Sequence, residues 1–260
     1  MSRFLVTGAT GFIGSAIVRR LRADGHEIVA PGSRELNLLT ATADDLAELV
    51  DRSGASHCIH CAWYTNQADY LAHEVNREWL AASLRLAYAC RDIRLVGLGT
   101  CLEHEAPPAT LYAQCKSELF EALTGDFAWA RVFFVYGPGD RAGRLMPSML
   151  ERFARGEQAG PIYGGLRRDY IHVDDLAGQI VRIADSDLRG LVDVGTGEAP
   201  TLSGIFAAGA AAFGRPELAQ ANEETGDQPR LIQADMSRFQ AFIGDPGARS
   251  IDQGLKDLVG

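Results

Sequence analysis

Thr7-Gly8-Ala9-Thr10-Gly11-Phe12-Ile13-Gly14 decides the fold. The stretch before it, Arg3 to Thr7, carries the apolar run Phe4-Leu5-Val6 and reads as a strand. The stretch after it, Phe12 to Arg22, places Ile13, Ile17, Val18 and Leu21 on one helical face. A glycine-rich turn between a strand and a helix is a phosphate cradle. Gly8 allows the tight turn, Gly11 lets the backbone approach a pyrophosphate, and Gly14 permits close helix–strand packing. Thr10, Gly11, Phe12 and Ile13 belong to a helix N-terminus, whose free N–H groups and partial positive charge suit a dinucleotide's phosphates.

The same alternation continues outward. Strands are expected at Glu27 to Ala30, His57 to His60, Ile93 to Leu98 and Ala128 to Phe134. Helices are expected at Asp44 to Asp51, roughly Asp69 to Cys90, and Leu111 to Leu123. Alternation at this spacing implies right-handed crossovers and a doubly wound parallel sheet, the α/β Rossmann architecture. After Tyr136-Gly137-Pro138-Gly139 the pattern loosens and Gly and Pro become frequent. We therefore expect a dinucleotide-binding domain over 1–136 plus about 170–194. A small substrate lobe is expected over about 137–169 plus 195–260, with Val173 to Val194 returning to the main sheet.

Composition narrows the function classes. The 260 residues are 47% hydrophobic and 23% charged, ordinary globular values. The net charge of −9 argues against a nucleic-acid surface. The chain enters a strand at once, without the basic-then-apolar pattern of a signal peptide, and its longest apolar run, Ile205 to Phe213, is too short for a bilayer. Five scattered cysteines suggest reduced thiols and a cytoplasmic location. Cys58-Ile59-His60-Cys61 has C-x-x-C spacing but reads as a buried strand without a second cysteine pair, so no metal site is expected. His60 reads as a satisfied strand-end residue.

The glycine spacing G-x-x-G-x-x-G, rather than G-x-G-x-x-G, resembles the extended branch of the short-chain dehydrogenase/reductase superfamily, the NAD-dependent epimerase/dehydratase family. Tyr112-Ala113-Gln114-Cys115-Lys116 supplies the Y-x-x-x-K that this superfamily uses, with both side chains on one helix face. Thr100, closing Val96-Gly97-Leu98-Gly99-Thr100, supplies the hydroxyl residue at the end of the fourth strand. The chemistry explains the residue types. Ketone reduction needs a hydride and a proton. Tyr112 is the expected acid. An ammonium at Lys116 is expected to draw its pKa down from about 10 toward working pH, and to bond the nicotinamide ribose. Thr100 donates to the carbonyl oxygen as negative charge develops. Only 11 residues separate Thr100 from Tyr112, a shorter loop than the branch normally has.

The turn after the second strand, Ala30-Pro31-Gly32-Ser33-Arg34, holds no carboxylate before Glu35, and Arg34 suits a 2′-phosphate. Ser33 to Leu39 is similar to nucleotide-sugar 4-ketoreductases that accept NADPH, which places Ser33 and Arg34 at the phosphate and Asn37 and Leu38 by the adenine. Ala62 joins the cofactor set. NADP(H) is the favoured cofactor and NAD(H) the alternative. Arg131 to Pro138 and Arg168 to Asp175 resemble extended-branch signatures, which give Arg168 the phosphates of a nucleotide sugar. Its alternative is a pairing with Asp174 or Asp175. Ile59 to Thr65 and Gly99 to His104 look most like deoxysugar reductases. Dehydratases of the family carry Asp-Glu where this chain has Cys101 and Leu102. Epimerase-reductases carry Cys and His where it has Leu102 and Arg144. Arg144 is therefore read as a substrate contact rather than a proton carrier. The implied activity is NADPH-dependent reduction of a nucleotide-linked 4-keto-6-deoxysugar by a homodimer. The alternatives are an NAD-retaining 4-epimerase, a non-sugar ketone or aldehyde reductase, and a cofactor-sensing non-enzyme.

Overall fold

The computed structural model describes residues 1–65, 69–104 and 107–260, so residues 105–106 of the short Thr100–Tyr112 loop lie outside it. The first strand and helix are β1 (Arg3–Thr7) and α1 (Phe12–Ala23), and Ile17, Val18 and Leu21 of α1 are buried. β2 (Glu27–Val29) follows, then α2 (Ala43–Ser53), β3 (His57–His60), α3 (Val75–Ala89), β4 (Arg94–Thr100), α4 (Leu111–Ala122) and β5 (Phe127–Val132). α2 is delimited by short-range chemistry. Thr42 and Asp45 form a capping box at its start, and Gly54 closes it at φ +58°. α3 starts at Val75, not Asp69, because Asn76 turns the preceding segment back on itself. Its amide donates to the Tyr70 and His73 carbonyls at 2.6 and 2.8 Å.

The six-stranded sheet has the order β2-β1-β3-β4-β5-β9, with β9 at Gly190–Val194, and the pairs from β2 to β5 are parallel. Successive connections leave β1 in opposite directions, so the ends of β1 and β3 form the switch point where such sheets bind ligands. The residues there are Thr7 and His60, which are register partners. Below the opposite edge, Arg94 is 7% exposed and donates to the carbonyls of Ile183, Ala184 and Leu188 and to Asp126.

The expected strand Ala128 to Phe134 divides in two. Phe133 N–H goes to the Val194 carbonyl and Phe134 N–H to that of Asp169, which leads the chain out of the large sheet. β6 (Phe134–Tyr136) then pairs with β8 (Tyr170–His172), while β7 (Arg167–Arg168) pairs with β10 (Leu231–Ile232). α6 (Val173–Ala184) leads back toward β9.

The chain divides into two units. One comprises Met1–Val132, Ala177–Val192 and Ala241–Gly244; the other comprises Phe133–Leu176, Asp193–Gln240 and Asp245–Gly260. The second unit has its own core, built from α5 (Leu145–Ala154), α7 (Leu202–Ala212) and α9 (Ile251–Val259) around Met149, Phe153, Ile205, Phe206 and Leu255. Among the described residues no helix is long and apolar enough to cross a membrane, and no three His, Cys, Asp or Glu side chains gather as a metal site.

Asp169 organises the second unit. Its side chain is fully buried, and its two oxygens accept from Thr196 N, Thr196 Oγ1, Gly197 N and Ala234 N. Removing the carboxylate leaves several buried donors without an acceptor. Asp169→Ala is expected to cost on the order of 3 kcal/mol, read from the midpoint and slope of a urea titration. A loss below about 1 kcal/mol would show that water replaces these bonds without penalty.

Candidate active site

At the switch point the glycines do steric work. Gly8 sits at φ +68°, and a Cβ on it would lie 2.6 Å from the Ala62 nitrogen. A Cβ on Gly14 would collide with the Gly8 carbonyl. The loop after β1 and the loop after β3 are therefore in backbone contact, with Ala62 as the meeting point. Gly11 is the N-cap of α1, no side chain caps it, and no acidic residue occupies the first turn. Thr10 and Gly11 are exposed and Phe12 and Ile13 half-buried. An uncapped helix start with room above it fits a dinucleotide's pyrophosphate.

The turn after β2 is equally specific. Ser33, Arg34 and Asn37 are exposed, whereas Leu38 is buried among core residues such as Leu46 and Leu86. Glu35, the first carboxylate after β2, accepts from the Gly32 N–H at 2.8 Å and so closes its own turn. Arg85 on α3 fixes the base of this segment by donating to the Leu38, Leu39 and Ala41 carbonyls. No sequence feature marked Arg85, because its partners are backbone atoms more than forty positions away.

The three residues expected to be catalytic come together in the first unit. Thr100 is the last residue of β4 and is 8% exposed. Tyr112 and Lys116 lie one turn apart on α4, whose N-cap Thr110 accepts from Ala113 N. The Tyr112 N–H donates to the Leu71 carbonyl at 3.0 Å, pinning the start of α4 to the turn before α3. The Thr100 hydroxyl lies close enough to the Tyr112 phenol to favour its charged form. Lys116, 4% exposed, donates to the Leu98 carbonyl at 2.7 Å and lies over the Trp63 ring at 3.8 Å.

The electrostatics correct one expectation. The free protein does not draw the Tyr112 proton toward neutral pH. Burial raises its pKa well above the ordinary phenol value. Tyr70, Glu103 and Cys101 add to the shift, and the nearby Thr100 side chain opposes it. The Lys116 ammonium is turned toward Leu98 and Trp63 and stands 5.9 Å from the Tyr112 ring centre. Burial brings Lys116 itself down to about 7, with Glu103 and Cys61 opposing that fall. His60 is a satisfied strand-end residue, as expected. Its ring nitrogens bond Thr7 Oγ1 at 2.6 Å and Ser83 Oγ at 2.8 Å, and burial, aided by Lys116, depresses it to about 3. Cys58 and Cys61 are free thiols; the neighbouring Cys90 thiol and burial raise Cys58, and burial pushes Cys61 up to about 12.

Sequence reasoning missed Glu103. Its carboxylate accepts from the Thr100 N–H at 2.6 Å and from the Trp129 indole N–H at 2.9 Å, and burial raises its pKa. The signal was present but indirect. Gly97 is the register partner of Trp129, and Gly97 and Gly99 lack the side chains that would collide with that indole.

Arg144 and Arg168 belong to the second unit. Arg144 is the N-cap of α5, about half exposed, and pairs with Asp140 at 3.1 Å. Arg168 is 5% exposed and donates to the carbonyls of Arg167, Pro229 and Arg230 and to Gln228 Oε1. Asp175, one of the partners considered for Arg168, is bound by Arg249 through two bonds of 2.9 Å.

Known proteins resemble this chain in sequence and in fold. Residues 4–195 match the NAD dependent epimerase/dehydratase family. The dTDP-4-dehydro-6-deoxy-D-allose reductase of Streptomyces bikiniensis is 27% identical, over 92% of this chain and 90% of that protein. Among solved structures, the UDP-N-acetylglucosamine 4-epimerase from Bacillus cereus superposes with a TM-score of 0.85 at 15% identity, covering 100% of this chain and 98% of that one. The Bordetella bronchiseptica enzyme WbmH in complex with NAD+ superposes at 0.82 and 20% identity, covering 100% and 97%. The phosphate loop, the six-stranded sheet and the family match lead to one conclusion: this chain belongs to the NAD dependent epimerase/dehydratase family and is an NAD(P)-dependent oxidoreductase of the extended short-chain dehydrogenase/reductase type.

Proposed function

We propose that the protein reduces a nucleotide-linked 4-keto-6-deoxysugar with NADPH. The observation that carries this reading is the Thr100–Tyr112 hydroxyl pair beside Lys116, with Cys101 and Leu102 where a proton-shuttling pair would have to stand. Thr100 and Tyr112 receive the ketone oxygen. Tyr112 keeps its proton through burial until negative charge develops on that oxygen, then transfers it. Lys116 supplies positive charge beside the resulting phenolate and bonds the nicotinamide ribose. When bound, the nicotinamide supplies the hydride. The likeness to a deoxysugar 4-ketoreductase over nine-tenths of both chains supports the substrate class.

Gly8, Thr10, Gly11, Phe12, Ile13 and Gly14 are assigned to the pyrophosphate, and Ser33 and Arg34 to a 2′-phosphate. Asn37, Leu38 and Ala62 complete the cofactor set. NADPH is preferred on the ground that Glu35 is spent on Gly32 while Arg34 is exposed. Arg144 is assigned to the substrate; Arg168, buried and bonded to the Pro229 and Arg230 carbonyls and to Gln228, would have to leave these partners to join it. The protein is further proposed to be a cytoplasmic homodimer paired through α3 and α4, consistent with the 67% exposed Tyr88 ring on α3. A 4-epimerase would use the same trio but retain NAD through purification, so the cofactor released on denaturing the fresh protein separates the two readings.

Tyr112→Phe is expected to abolish turnover while leaving NADPH affinity nearly unchanged; turnover above about a tenth of wild type would remove Tyr112 from the acid role. Arg34→Ala is expected to weaken NADPH about ten- to a hundred-fold and leave NADH unaffected, as one charge-assisted bond is lost. Equal losses for both cofactors in a fluorescence titration would reverse the preference. Leu102 cannot move a proton and Arg144 stays charged. Turnover in deuterated water is therefore expected to leave C3 and C5 of the product unlabelled by mass spectrometry. Label there above a no-enzyme control would point to an epimerase-type acid–base pair.

A further inference from the structure

Trp63 follows Ala62 in the loop that leaves β3, and its ring meets both Lys116 and Tyr112. The Lys116 nitrogen stands 3.8 Å from the ring centroid, and Tyr112 meets the ring edge-on at 6.3 Å and 76°. The ring is fixed from behind. Its Nε1 donates to Asn76 Oδ1 at 2.8 Å, and Asn76 is fully buried and tied to two carbonyls of its own. Trp79 packs alongside at 6.4 Å between centroids.

An ammonium at 4% exposure has lost nearly all of its water and needs compensation. Besides the Leu98 carbonyl, the titratable groups facing Lys116 among the described residues are few. They are His60 and Cys61 from the end of β3, Glu103 from the turn after β4, and Tyr112 on its own helix. Arg131 on β5 acts on Glu103. His60, Cys61 and Tyr112 are all held neutral by burial. Glu103 is already committed to two donors. The face of an indole is the aromatic surface that attracts a cation most strongly, and the attraction grows when both partners are desolvated.

We propose that Trp63 is a positioning residue that acts through Lys116: its π face keeps the ammonium charged and in place, and so sets the upper pH limit of the enzyme. The proposal rests on Tyr112 and Lys116 being the reductase pair, but its first test needs neither substrate nor cofactor. Losing the Lys116 proton removes a cation from the Trp63 ring. Tryptophan emission of the cofactor-free protein, titrated from about pH 5 to about pH 10, is expected to show a step near the Lys116 transition. The step should vanish in Lys116→Met and in Trp63→Phe. Its absence from wild type, or its persistence in Trp63→Phe, would overturn the assignment.

The second test is the pH profile of kcat/KM. Without the indole the charged form of Lys116 is less favoured, so its proton is lost at lower pH. The alkaline limb should move acidward by about one unit in Trp63→Leu and by roughly half as much in Trp63→Phe, whose ring is a weaker cation partner. A purely structural role would lower the plateau and leave the limb within about 0.2 units in both variants, which would refute the proposal. If Trp63→Leu does not fold, Trp63→Phe decides. An emission step in a protein that reduces no 4-keto sugar would keep Trp63 in this role and reject the substrate reading. Turnover without the step would do the reverse.

Discussion

Two missing side chains on β4 let the end of the strand that carries Thr100 pack as it does. Gly97 and Gly99 leave the surface of the strand bare, and the Trp129 indole from β5 lies across it. Trp129 is 1% exposed and among the largest fully buried side chains in the protein. Burying an indole brings a large apolar contribution only if its N–H finds an acceptor. Glu103 is that acceptor, and its second oxygen takes the Thr100 amide. The apolar packing of the core and the placement of Thr100 are thus one arrangement. Lys116 joins it from α4, with its ammonium 5.7 Å from the same indole and bonded two residues upstream of Thr100.

The surroundings of the trio follow a single electrostatic rule. Burial favours the neutral form of each group. His60 is pushed down, Cys61 and Tyr112 up, all chiefly by desolvation. Lys116 follows the same rule, brought down to about 7 by the same force. Among the described residues Lys116 is thus brought nearest to neutral pH there, beside the Leu98 carbonyl, the Trp63 π face and the carboxylate of Glu103.

The fold was legible because its signals are local. A strand, a glycine turn and a helix occupy contiguous residues from Arg3 to Ala23, and the capping of α2 is written within Thr42–Asp45. Thr100, Tyr112 and Lys116 were legible for a related reason: the pair shares one turn of α4 and the hydroxyl ends a strand. What escaped depends on partners distant in sequence. Glu103 acquires its role from an indole 26 positions on, and Trp63 from an ammonium on another element. The end of β5 was misjudged because Phe133 and Phe134 are as β-prone as the residues before them. Their N–H groups are instead claimed by Val194 and Asp169. The Tyr112 shift escaped because charge proximity can be read from spacing, whereas desolvation depends on everything packed around the phenol.

The turn after β2 is built in two layers. Residues 32–37 are closed by their own short-range bonds, including that of Glu35 to Gly32. From Leu38 onward the chain is anchored, with Leu38 in the core and Arg85 gripping the carbonyls of Leu38, Leu39 and Ala41. The segment proposed to meet the adenosine end of a cofactor is therefore a cassette seated on a fixed base. Its exposed Ser33, Arg34 and Asn37 can be exchanged without disturbing that base, which makes it the natural place to graft a different coenzyme preference beside unchanged Thr100, Tyr112 and Lys116.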